Sequence, residues 1–109
     1  MSRARGNIAE DRACEHLRRK GFEIIDRNVN SRFGEIDVIA LKGEVLHFVE
    51  VKSGSVYESA IQNITPTKLQ RILRTAEVYM KKHHLSLAFC LDAVIVTPEA
   101  IETVENITL

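Results

Sequence analysis

GEIDVIALKGEVLHFVEVK, Gly34 to Lys52, reads as two apolar strands joined at Lys42-Gly43, with Asp37, Glu50 and Lys52 set where charge is costly. Strand side chains alternate faces with period two, so Glu50 and Lys52 point the same way as Leu46 and Phe48. Residues opposite one another across a hairpin share a face. With a loop of two or four residues around Lys42, Gly43 and Glu44, Asp37 falls on the Glu50 face, either directly opposite it or one diagonal step away. Two carboxylates and an ammonium then converge. A hard divalent cation such as Mg²⁺ suits that arrangement, since it binds through one or two carboxylates together with water and phosphate oxygens, and Lys52 would face the phosphate.

Before this hairpin, Ser2 can cap a helix that runs to Lys20 and ends at Gly21. At about 100° per residue, Ala9, Ala13, Cys14 and Leu17 occupy an arc of roughly 140° that also contains Glu10. Glu10 is therefore turned toward the core, either to reach solvent from the edge of the arc or to add an acidic group at the metal site. Phe22 to Asn28 reads as a first strand, followed by a loop through Asn30-Ser31-Arg32, which makes a three-stranded antiparallel meander with the hairpin. After Lys52 comes an irregular or briefly helical stretch containing Tyr57 and Gln62.

Thr65-Pro66 opens the clearest helix, with Thr as N-cap and Pro at the first helical position, running to about His84. Leu69, Ile72, Leu73, Ala76, Tyr79 and Met80 form its apolar face, and Lys68, Arg71, Arg74, Lys81 and Lys82 spread over the other half. Lys68, in the first turn, can reach a phosphate near the site or simply remain solvated. His83 and His84 end the helix, where its dipole favours cations over a metal-ligand role. Leu87 to Val96 is a nearly continuous apolar run, as in a strand covered on both faces, interrupted by Asp92, which must find a hydrogen bond or salt bridge. Ile101 to Leu109 supplies a last edge strand. The order is αβββα followed by one or two strands.

Residues 1–109 form a single domain, large enough to bury about two-thirds of the unfolded surface. No apolar run approaches the roughly 20 residues of a membrane span, and the start, MSRARGNIAEDR, lacks a signal core, so the expected location is the cytoplasm. Cys14 and Cys90 make no metal or redox motif and read as reduced, partly buried thiols. Fifteen basic residues balance fifteen acidic ones, which argues against a strong global field for nucleic acid. Local clusters can still bind phosphates: Arg3, Arg5, Arg18, Arg19 and Lys20 in the first helix, and Lys68, Arg71, Arg74, Lys81 and Lys82 in the second.

The spacing of Asp37, twelve residues, then Glu50-Val51-Lys52 resembles the PD-(D/E)xK signature of restriction-endonuclease-like enzymes and Holliday-junction resolvases. Gly34-Glu35-Ile36-Asp37-Val38-Ile39-Ala40 and Phe48-Val49-Glu50-Val51-Lys52 are similar to the two diagnostic blocks of the YraN family of small bacterial proteins. The resemblance extends to Gly6, Glu10, Gly21-Phe22, Asn28, Lys68, Ala76 to Tyr79 and Asp92-Ala93-Val94. Ser53-Gly54-Ser55 stands where the family usually has an arginine, and Ala9 where a glycine is common.

The resemblance implies an α/β, restriction-endonuclease-like αβββαβ core, a mixed sheet flanked by helices. It also implies a metal-dependent endonuclease that cleaves DNA hydrolytically, with branched DNA as a candidate substrate. Asp37, Glu50 and the Val51 carbonyl would hold Mg²⁺ or Mn²⁺, and Glu10 would add an acidic group. Lys52 would position water or stabilise the phosphorane, since a cation among carboxylates and phosphates suits charge stabilisation better than base catalysis. Lys68, Arg71 and Arg74 would contact DNA. Cutting two strands with one site per chain implies a homodimer, formed through residues 101–109 or the apolar loop near Val56 and Tyr57. A different class fits the zero net charge and the missing arginine: a catalytically silent nucleic-acid-binding or assembly module of the same fold.

Overall fold

The computed structural model describes residues 2–107, with side chains from Ile8 onward. The elements are α1 (Ser2–Arg19), β1 (Glu23–Ser31), β2 (Gly34–Lys42), β3 (Val45–Ser53), α2 (Tyr57–Ile61), α3 (Pro66–Lys82), β4 (Ala88–Val96) and β5 (Ile101–Val104). The strands lie in sequence order in one sheet. All neighbours are antiparallel except β3 and β4, which run parallel from Val45↔Ala88 to Ser53↔Val96. Parallel neighbours need a long crossover, and α2 and α3 supply it. This mixed sheet flanked by helices is compatible with the restriction-endonuclease-like fold.

Period-two alternation divides the core between the two faces. Val38, Ala40, Val49, Val94 and Val96 pack under Ala9, Ala13, Cys14 and Leu17 of α1. Ile39, Leu46, Phe48 and Leu91 pack under Ile72, Ala76 and Tyr79 of α3. Phe48 is completely buried and meets Tyr79 and Phe89 edge-on, at centroid separations of 6.3 and 5.8 Å. Burial of a side chain this size contributes about 1.5–3 kcal/mol, so it is a principal anchor of the sheet–helix layer.

Several boundaries depart from the sequence reading. β1 extends to Ser31 because Arg32 and Phe33 close a tight turn onto Gly34. α3 stops at Lys82, with His83 as its C-cap, while at its other end Thr65 Oγ1 accepts the Lys68 N–H at 3.2 Å and Pro66 occupies the first turn. β5 ends at Val104, since Asn106 takes a left-handed φ of 54° and Ile107 turns back to donate its N–H to the Leu91 carbonyl at 2.7 Å. The side chains of Ser2, Arg3 and Arg5, and residues 108–109 of the expected last strand, lie outside the described residues. Among the described residues, no helix is long and apolar enough to cross a membrane.

Candidate functional site

Gly43, at φ 62°, and Glu44 form the two-residue connection that pairs Lys42 with Val45. From there the ladder runs back to Val38↔Val49, and one further step sets Asp37 across from Glu50. The pairing ends at this step. Asp37 Oδ2 accepts the Val51 N–H at 2.8 Å, so a side chain takes a hydrogen bond that strand pairing would otherwise make.

The Glu50 carboxyl lies against that of Asp37. Burial, then the adjoining Glu50, push Asp37 from its ordinary acidic range up to about 8, against the opposing pull of the Val51 N–H and the Lys52 ammonium. Near neutral pH the Asp37 carboxyl therefore holds its proton beside Glu50. Lys68, in the first turn of α3, lies against Lys52, whose positive charge holds the Lys68 ammonium below its usual range while Glu50 opposes the shift. Asp37, Glu50, Lys52 and Lys68 therefore form one group.

Arg71 and Arg74 are exposed on the same helix. A Cβ on Gly34 would come within 3.4 Å of the Arg71 Cβ, so the first half of α3 crosses the start of β2 at close range. Beside that crossing, Phe33 is flanked by the Arg32 and Arg74 guanidinium groups, 4.9 and 5.4 Å from its centroid.

Glu10 is placed elsewhere. It lies on α1, over the opposite sheet face, and pairs with Arg27 at 3.5 Å, while Arg27 also binds Asp11 at 2.8 Å. The inward turn read from the helical arc is present, but the charge it meets is a guanidinium on β1. A register shift between Ile24 and Asp26 is the physical reason: it inserts Ile25 into the strand and puts Arg27, opposite Val38, on the α1 side. Val51, between Glu50 and Lys52, has its side chain packed against the α1 cluster.

A second polar group was missed by sequence reasoning. The parallel register sets His47 beside Cys90, and period two puts Asp92 on the same face. His47 Nδ1 lies 2.5 Å from Asp92 Oδ2, and Cys90 Sγ lies 3.2 Å from His47 Nδ1 and 3.3 Å from Asp92 Oδ1. These potential ligand atoms all fall within 4.8 Å of one another. Cys90, a free and partly buried thiol as the sequence suggests, thus belongs to a group whose ligand atoms could hold a metal ion, which its lack of a sequence motif did not signal. Asp92 finds the structural partners expected of it, including the Asn106 N–H at 2.9 Å. Cys90-x-Asp92 was visible as a same-face pair, but His47 joins them only through a strand pairing that spans more than forty residues.

Residues 9–96 match the profile described as Uncharacterised protein family UPF0102. A UPF0102 protein from Sulfurimonas denitrificans is 58% identical over 109 residues, covering all of both chains. UPF0102 proteins from Wolinella succinogenes and Helicobacter hepaticus are 52% identical over the full length of both chains and 50% identical over 99% of this chain and 97% of the relative. The chain belongs to the UPF0102 family, that of YraN.

Proposed function

We propose that this UPF0102 protein is a metal-dependent endonuclease that hydrolyses phosphodiester bonds in DNA, with branched DNA as its substrate. The observation that carries the reading is the pairing of the Asp37 and Glu50 carboxyls beside Lys52, where the β2–β3 ladder ends. Two crowded carboxyls, one of them with its pKa pushed up by burial and by its neighbour, offer the hard oxygen ligands that fit Mg²⁺ or Mn²⁺. Asp37, Glu50 and the Val51 carbonyl would hold the ion. Bound there, it would acidify an attacking water and neutralise charge growing on the phosphate.

The remaining chemistry belongs to the chain. Lys52 presents an ammonium to the phosphate from the same strand face as Glu50 and offsets the charge of the pentavalent phosphorane. Lys68 adds a second cation, and the Thr65 cap and Pro66 fix the start of its helix. Arg71 and Arg74 extend the positive surface along α3 to the backbone of the nucleic acid. Glu10, held by Arg27, supports the layer beneath the site. Paired cuts would come from a homodimer, for which the edge strand β5 and exposed Val56 are the available surfaces.

The test is cleavage of linear, flap and four-way-junction DNA with Mg²⁺ or Mn²⁺, by wild type and by Lys52→Ala. Cleavage by wild type alone, with DNA binding retained in the variant, supports the enzyme. If both proteins bind branched DNA and neither cuts it, the chain is the silent binding module.

A further inference from the structure

We propose that His47 Nδ1, Cys90 Sγ and the Asp92 carboxylate form a binding site for one zinc ion, separate from the Asp37–Glu50 centre, that pins β3, β4 and the chain following β5.

The location separates the two sites. His47 and Asp92 alternate with Phe48 and Leu91, which pack under α3, so the cluster lies on the α1 face, opposite Glu50 and Lys52. The donor set differs as well. One imidazole, one sulfur and one carboxylate are ligands for a borderline ion such as Zn²⁺, whereas the all-oxygen pair at Asp37 and Glu50 suits a hard one.

The distances fit tetrahedral zinc. With metal–ligand bonds of about 2.0–2.3 Å, neighbouring ligand atoms stand roughly 3.3–3.5 Å apart. The sulfur lies 3.2 Å from His47 Nδ1 and 3.3 Å from Asp92 Oδ1, near that spacing, while the 2.5 Å between Nδ1 and the other carboxylate oxygen, Oδ2, would have to open by less than an ångström for Oδ2 to be the ligand. Three protein ligands leave a fourth position for water. The surroundings hold the ligands in place: Phe22 sets its edge against the His47 ring at 4.9 Å, and the Asn106 N–H binds Asp92.

Charge supplies the driving force. The Asp92 side chain is fully buried, and a buried carboxylate needs a compensating cation. On zinc uptake the Cys90 S–H bond breaks, its electron pair stays on sulfur as the metal ligand, and the proton leaves to solvent. The imidazole proton moves from Nδ1 to Nε2 by exchange with water, freeing the Nδ1 lone pair. Zn²⁺, thiolate, carboxylate and neutral imidazole then sum to zero.

The experiment is titration of the metal-free full-length protein with Co²⁺, followed by displacement with Zn²⁺. The expected result is one equivalent bound, a near-ultraviolet thiolate-to-cobalt charge-transfer band that zinc abolishes, and a higher melting temperature with zinc. Cys90→Ser should lose the band, whereas Cys14→Ser and Asp37→Asn should keep it. His47→Gln, which retains the thiol, should weaken cobalt binding at least about tenfold, the loss that removal of even an outer-shell partner brings. Far-ultraviolet circular dichroism confirms that each variant is folded, and His47→Gln decides the matter if Cys90→Ser is not. A band that survives Cys90→Ser, undiminished affinity in His47→Gln, or no band and no zinc-dependent melting shift in the wild type would overturn the site.

Discussion

The Asp37 carboxylate accepts the backbone N–H of Val51 at 2.8 Å, so one acid both ends the β2–β3 ladder and presses against Glu50. Its raised pKa fixes the sign of a pH effect. In the metal-free fold Asp37 holds its proton up to about 8, whereas in the unfolded chain it releases it near 3.8. The folded state thus binds more protons across that window. Its stability contribution is full below the lower value and is lost as pH rises toward the upper one. Asp37→Asn removes the titration while an amide oxygen can still accept the Val51 N–H. Wild type should therefore lose stability relative to Asp37→Asn between about pH 4 and 8, measured by urea melts in chelator; parallel curves for the two proteins would refute the crowded pair.

Divalent metal competes with the proton that Asp37 holds. The melting-temperature gain with Mn²⁺ should accordingly be larger above about pH 8 than below it, because no proton then has to be displaced. Asp37→Asn and Glu50→Gln should both reduce the gain. Equal shifts in all three proteins, at either end of the pH range, would place the ion elsewhere.

Local pattern made the hairpin legible: alternation over Val38 to Leu41 and Val45 to Val49, with Gly43 at the turn, is enough to set Asp37 across from Glu50. The helix from Thr65-Pro66 was equally plain, because its cap and apolar stripe are encoded within a few turns. Two non-local facts were not legible. The parallel pairing of β3 with β4 depends on how the crossover packs, so no local period could bring His47 to Cys90. The irregularity at Ile25 shifts strand parity by one, and that single residue decides whether Arg27 faces α1 or α3. Without it Glu10 reads as an acid in search of a metal; with it Glu10 has a guanidinium.

Arg27 therefore carries a stability prediction. One Glu10 oxygen is buried with only the 3.5 Å ion pair to satisfy it, so Arg27→Met strands a carboxylate and should cost about 1–3 kcal/mol. Glu10→Gln should cost less, since it removes the charge as well as the need for the cation. In the double variant the penalty should fall below the sum of the two, read from denaturant midpoints in a double-mutant cycle. Strict additivity would mean that the pair is not coupled.

The last prediction concerns how the nucleic acid is held. Arg74 lies over the Phe33 ring while Arg71 crosses Gly34, and both are exposed on the side of α3 that begins at Lys68. With equal numbers of acidic and basic residues in the chain, affinity for DNA must come from such a local cluster rather than from the net field. Each phosphate contact releases condensed counterions, so Arg71→Glu and Arg74→Glu should each flatten the dependence of log affinity on log salt by about one unit and weaken binding uniformly across sequences. Lys52→Ala should leave most of that affinity intact while abolishing cleavage, because its assigned charge acts on the scissile phosphate. Fluorescence anisotropy with a four-way junction over a salt series reads the slopes, and an unchanged slope in both arginine variants would remove α3 from the DNA-binding surface.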